Sequence, residues 1–210
     1  MKLLPALPAV YACCTRVGAF AAFLSAILIV AACSTLSDRP ASPSPLATRP
    51  LAANFTATGR VAARVTGDDK RGFSGGFVWT HGPAEDVVEL LTPLGQIAAR
   101  MTMTASGAEI ETPDRQRTRT SDPEQFLSEA LGVTLPVAAL SHWLQAVPLA
   151  RMPFRAEADA MGRPVALWQN GWQIQYITYA DETPRAYPTR IQLTQGEIEA
   201  RMIISEWSAK

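Results

Sequence analysis

Phe55-Thr-Ala-Thr-Gly-Arg-Val-Ala-Ala-Arg-Val65 is the stretch whose reading decides the fold. Its odd positions are apolar or small, while Thr56, Thr58, Arg60 and Arg64 fall between them. Side chains of a strand alternate between its two faces, so this period of two predicts a strand with one buried face. The pattern continues downstream. Gly72–His81 sets Phe73, Phe77 and Trp79 on one face, residues 85–92 form the next run, and 95–103 keeps Ile97, Ala99, Met101 and Met103 in step. Asp68-Asp69 is expected at a hairpin tip, and a further short strand over Ala108–Thr112. Successive alternating runs of this kind are the pattern of antiparallel sheet.

The period then changes. Ser121-Asp122-Pro123-Glu124 combines a capping side chain, a first-turn proline and an early acid, which together start a helix. Phe126, Leu127, Ala130 and Leu131 share one helical face, and Gly132 stops the helix. Beyond Leu135-Pro136 a second helix is expected to run to about Val147, with Val137, Leu140, Trp143, Leu144 and Val147 on its apolar side and Pro148 at its end. Strands return at 165–170 and 172–179, joined by Asn170-Gly171, the strongest short hairpin signal. Two more follow, near 189–195 and 197–207. About nine strands interrupted by one pair of helices predict a mainly β, α+β fold, and the single helical pair argues against parallel βαβ winding.

Upstream of Phe55 the chain reads as an address and a tether. Val17–Ala32 is an uncharged apolar run preceded by Lys2 and Arg16, the pattern of a secretory signal and short for a membrane span of ~20 residues. It ends in Val30-Ala31-Ala32-Cys33, which resembles the lipobox of bacterial lipoproteins. Cys33 is therefore expected to carry diacylglycerol on its thiol and, after cleavage, an acyl chain on its new amine. Two or three such chains anchor stably where one does not, at ~0.8 kcal/mol per buried methylene. Ser34, rather than aspartate, follows the cysteine and points to the outer membrane. Residues 34–54 hold four prolines among Ser, Thr and Ala, too little apolar surface to fold alone. The expected organisation is a signal peptide at 1–32, a lipidated N-terminus and flexible tether at 33–54, and a folded body at 55–210.

Charge and cysteine usage narrow the function. The full chain balances 19 basic against 19 acidic residues, and removing Lys2 and Arg16 leaves 17 against 19. A net of −2 argues against nucleic acid, which demands a basic face to neutralise its phosphates, and leaves membrane contact through a lipid or an apolar loop open. All three cysteines, Cys13, Cys14 and Cys33, precede the body. No disulfide framework follows, a four-ligand zinc site is hard to build without cysteine, and no metal or cofactor is expected beyond the lipid on Cys33.

Gly72-Phe73-Ser74-Gly75-Gly76 fits the G-x-S-x-G spacing of a hydrolase elbow, which requires a strand, the serine, then a helix. Here the serine lies inside a predicted strand that continues as Phe77-Val78-Trp79-Thr80, and no histidine precedes His81. The glycines instead permit a twist or bulge in an aromatic strand. His81 and His142 are isolated, and Asn54-Phe55-Thr56 is a chance sequon in a bacterial secreted chain. No catalytic residue is assigned, and the chain is not expected to be an enzyme.

What remains is apolar. Trp79, Trp143, Trp168, Trp172 and Trp207, with Met101, Met103 and Met202, either pack a core or line a cavity, and methionine suits a wall that must accept variable ligands. In Thr92-Pro93-Leu94-Gly95 the proline and glycine fit a tight turn, but a leucine at the third position does not. Leu94 either folds back onto the core or stands exposed.

At this point the chain resembles the LolB family of outer-membrane lipoprotein receptors over about residues 55–207. The resemblance is carried by Gly59-Arg60, Phe77-Val78-Trp79, Leu90-Leu91-Thr92-Pro93-Leu94-Gly95 and Leu131-Gly132-Val133-Thr134-Leu135-Pro136. Trp143-Leu144, Gln169-Asn170-Gly171-Trp172 and Trp207 complete it in the same order. It implies an incomplete antiparallel β-barrel covered by helices and enclosing an apolar cavity, with Phe77, Trp79, Trp143 and Trp172 as expected lining. It implies that acyl chains of lipoproteins are accepted from the soluble periplasmic carrier LolA and placed into outer-membrane phospholipid, with Leu94 on Pro93 pushing cargo into the membrane. A monomer on the periplasmic face of the outer membrane is expected. The alternative is a structural or assembly lipoprotein that uses its sheet as a protein-binding platform.

Overall fold

A computed structural model of the protein describes residues 46–209. The signal segment, Cys33 and the first part of the expected tether lie outside the described residues. The stretch that decided the reading, β1 (Phe55–Val65), sits at the middle of a single 11-stranded sheet. From it the chain steps outward through β2 (Asp68–His81), β3 (Glu85–Leu91), β4 (Ile97–Thr104), β5 (Gly107–Glu111) and β6 (Arg117–Thr120). Two helices follow, α1 (Pro123–Leu131) and α2 (Val137–Trp143). The chain resumes at the opposite edge with β7 (Phe154–Ala158) and returns inward through β8 (Pro164–Gln169), β9 (Trp172–Tyr179) and β10 (Pro188–Gln195) to β11 (Ile198–Ala209), which pairs with β1. Every pairing is antiparallel. The edges β6 and β7 are not neighbours in the sheet, so it is an incomplete barrel, as expected.

Local chemistry explains the elements. In β1 the odd positions from Phe55 to Val65 turn inward and the arginines outward. Asn170 and Gly171 both take positive φ, 52° and 78°, as the two-residue hairpin turn between β8 and β9 requires. At α1 the Asp122 carboxylate accepts from the Gln125 amide, and Gly132 closes the helix in the left-handed conformation with its N–H on the Ser128 carbonyl.

Five sequence expectations are corrected. The first hairpin turns at Thr66-Gly67, and Asp68 already pairs with Val65, because the left-handed Gly67 takes the corner. Ile97 is not in step with Ala99: a register shift between Leu90 and Leu91 sets Ile97 opposite Leu91, on the outer face. The second helix ends at Trp143, short of Val147, since Ala146 adopts φ 57° and the buried Gln145 side chain bonds to the Ser141 carbonyl. Strands β6 and β7 add to the expected nine.

The fifth correction concerns the tether. Residues 46–54, expected to be flexible, lie against the body. The Arg49 guanidinium donates to the carbonyls of Gln145, Pro184, Arg185 and Ala186, and the Ala52 amide donates to Gln145 Oε1 at 2.8 Å. Arg49 also lies 5.8 Å from the centre of the Tyr179 ring. A guanidinium presents donors in a fork, so one side chain satisfies several loop carbonyls that strand pairing leaves free.

Candidate acyl-binding cavity and exposed loop tip

The inner face of the sheet holds two different kinds of packing. Beneath β8 and β9 it is tied by buried hydrogen bonds. Trp143, fully buried, stands 6.5 Å from Trp172 and donates its indole N–H to Gln169 Oε1 at 3.0 Å. The same oxygen accepts from the Leu149 amide, while Gln169 Nε2 donates to the carbonyls of Leu149 and Met152. Tyr176 donates its hydroxyl to the Trp143 carbonyl. These bonds fasten the end of α2 to one half of the sheet. Among the described side chains no buried polar atom lacks a partner.

Beneath β1 to β5, β10 and β11 lies a cavity of about 70 Å³. Its wall is apolar throughout, with Phe73, Phe77, Trp79 and Met101 from the sheet, Met202 from β11, and Phe126, Leu127 and Leu140 from the helices. Trp79 turns its only polar atom away, donating from the indole to Asp86 Oδ1 at 2.7 Å, an oxygen also 2.7 Å from His81 Nδ1. Ligand sites measure ~300–1,000 Å³, so this is a contracted cavity that must expand to take a chain. α1 is held over the cavity by apolar contact, and Arg71 Nε of β2 donates to the Gly132 carbonyl at its end at 3.0 Å. Burial, and then the Asp122 charge, push the Glu124 carboxyl in the first turn of α1 above its ordinary range.

The four tryptophan and phenylalanine positions singled out in the sequence therefore separate. Phe77 and Trp79 line the cavity; Trp143, held by Gln169, and Trp172, packed beside it, do not. Phe126, Leu127 and Leu140, legible in the sequence as the inner faces of the two helices, form the helical part of the wall.

The turn after β3 is built as its residues require. The Gly95 amide donates to the Thr92 carbonyl at 2.9 Å, and the Thr92 amide donates to Gln96 at 2.8 Å. Gly95 takes φ 83°. Proline fixes the second position, which leaves Leu94 at the corner with 89% of its surface exposed. Of the two readings of Leu94, burial against the core is the one that fails. Leu90, on the same strand, reaches the cavity wall.

Ser74 sits outside, midway along β2 and opposite Ala62, with strand on both sides rather than a helix after it. Among the described residues no group of three His, Cys, Asp or Glu could hold a metal. No helix among them is long and apolar enough to cross a membrane.

Comparison with known proteins fits this arrangement. The family described as outer membrane lipoprotein LolB matches residues 53–207. A curated outer-membrane lipoprotein LolB from Azoarcus is 38% identical over 88% of this chain and 95% of its own length. One from Dechloromonas aromatica is 34% identical over 88% and 94%, and one from Ralstonia nicotianae 31% over 89% and 98%. Among solved structures, a LolA-superfamily protein from Nitrosomonas europaea superposes with a TM-score of 0.50 at 12% identity, over 77% of this chain and 88% of that one. That likeness concerns the fold alone. With the family matched across nearly the whole described body and an apolar cavity under helices, the chain belongs to the LolB family of outer-membrane lipoproteins.

Proposed function

We infer that this protein is an outer-membrane lipoprotein receptor that takes the acyl chains of lipoproteins from a LolA-type periplasmic carrier and delivers them into the membrane. One observation carries the reading: a wholly apolar cavity whose wall strand β3 runs directly into an exposed leucine tip. An acyl chain in water costs ~0.8 kcal/mol per methylene, so it must pass from one apolar shelter to the next. A receiving cavity of higher affinity draws the chain across without ATP, since only the difference in affinity is needed. The cavity opens by α1 lifting, because α2 is fastened to β8 and β9 through buried side-chain bonds, while the bond from the sheet to the end of α1 is the exposed one from Arg71. Lipid on Cys33 holds the receptor at the membrane, and Leu94 enters the bilayer interface when cargo leaves. No covalent chemistry is part of the cycle, so Ser74→Ala should leave it unchanged.

The test is a two-step assay that scores uptake from the loaded carrier and release into liposomes separately. Leu94→Glu should leave uptake intact and stall release, with the loaded receptor accumulating. Loss of uptake in a folded Leu94→Glu protein would sink the division of labour between cavity and loop.

A further inference from the structure

The outer face of the sheet beside the Leu94 turn carries a row of residues that the cavity does not use. The register shift at Leu91 sets Ile97 opposite Leu91; Leu91 faces Gly76, Gly76 faces Arg60, Arg60 faces Ile203, and Ile203 faces Arg190. Directly paired residues share a face, and neighbouring strands lie ~4.8 Å apart. This places Arg60 and Arg190 on either side of Ile203. Gly76 has no side chain, and Leu91 lies across it, so a Cβ there would meet the leucine at 3.1 Å. Ile97 is 42% and Ile203 48% exposed, and both stand near the tip, where Leu94 is almost free.

The charges of this row are also unlike those around it. Arg64 pairs with Glu199, Arg100 with Glu89, and Arg117 and Arg119 with Glu109. Among the described residues Arg60 and Arg190 make no ion pair, and Arg201, one row nearer the turn, reaches Glu199 only at 4.0 Å. The row contains no carboxylate. Glu206 faces Thr58, in the row on the side away from the Leu94 turn.

We propose that this outer face is a docking surface for a bilayer containing anionic phospholipid. Leu91, Leu94, Ile97 and Ile203 enter the interface, and Arg60 and Arg190, helped by Arg201, hold the phosphates. The proposal rests on the delivery role given to Leu94 and deepens it: Leu94 then enters the bilayer with a whole face laid down beside it. Charge complementarity names the occupant, since unpaired arginines beside exposed aliphatic side chains match the two layers of such a surface. Continuity with the Leu94 tip places both on one membrane.

Each test protein is the lipidated chain beginning at Cys33, carried in vesicles, with the single substitution Ile203→Cys or Leu94→Cys bearing an environment-sensitive fluorophore. No cysteine follows Cys33, so each label is unique. Vesicles are phosphatidylcholine alone or with added phosphatidylglycerol. The label at 203 should shift to the blue only with phosphatidylglycerol and lose the shift in high salt. Adding Arg60→Gln and Arg190→Gln should lower the ratio of docked to free face about thirtyfold, as near-surface cations on an anionic leaflet do. A shift at 94 with none at 203 overturns the proposal and leaves the delivery role standing. No shift at either position overturns both. A shift at 203 caused by the carrier rather than by phosphatidylglycerol overturns it in favour of a protein-docking face.

Discussion

Gln169 shows how much one side chain organises here. It accepts from the Trp143 indole and the Leu149 amide and donates to two carbonyls. Gln169→Leu keeps the volume but strands several buried polar groups, each costing about 1–3 kcal/mol. We expect a loss of about 3 kcal/mol in urea unfolding. A loss below the cost of a single stranded group would mean that α2 is fastened by packing alone. Leu94 is the opposite case. It touches little, so Leu94→Glu should leave the melting temperature within the ordinary range for surface changes while stopping release. Neither role is visible in the identity of the residue. Gln169 reads as an ordinary strand residue, and Leu94 was distinguishable only because a leucine is out of place at a proline-glycine turn.

Among elements, those with strong local signals were legible and those with weak ones were not. The strands from β1 to β5 and from β8 to β11 follow the alternation within a few residues at each end. β6 was missed because Arg117-Thr-Arg-Thr120 has no apolar face. It forms as an edge, held by pairing to β5 and by Arg117 and Arg119 against Glu109 and Glu111, and its charge discourages further strand addition. β7 was overlooked although Phe154, Ala156 and Ala158 alternate with Arg155 and Glu157. The helix over the cavity yields a prediction in pH. Its Glu124 carboxyl is raised in the folded state, chiefly by burial. A raised carboxyl favours the protonated form, so the folded state binds that proton more tightly than the unfolded chain. Stability is thus lost as pH rises from below the ordinary glutamate range through the raised value. Glu124→Gln should melt higher than the parent at neutral pH and equal to it in acid. An advantage that persists unchanged in acid would exclude this cause.

For the whole molecule the decisive quantity is empty space. Ala99 lies in the wall of the 70 Å³ cavity. Ala99→Leu fills it with apolar atoms, so stability should hold or rise while affinity for a fluorescent fatty acid falls roughly tenfold, about 1.4 kcal/mol. Unchanged binding in a stable Ala99→Leu protein would place the acyl site elsewhere. The Arg49 clamp also acts at this scale, joining the residue before the body to the β9–β10 connection far along the chain. Arg49→Ala should speed hydrogen exchange at the Ala52 amide, now bound to Gln145, and lengthen the free tether without unfolding the sheet.

The sequence by itself determined the period-two strands, the helical pair, the Asn170-Gly171 turn and the odd leucine, because each depends on residues within a few positions of one another. Its resemblance to the LolB family pointed to an incomplete barrel and an acyl cavity. Only the tertiary structure decided which aromatics line that cavity. Trp79 and Trp143 look alike in the sequence, yet one turns its N–H out to Asp86 and faces the void, while the other is pinned by Gln169 away from it. The register shift that throws Ile97 outward, the early end of α2 and the Arg49 clamp were also beyond local reading. Each is set by partners distant in the chain, whose geometry exists only once the sheet has formed.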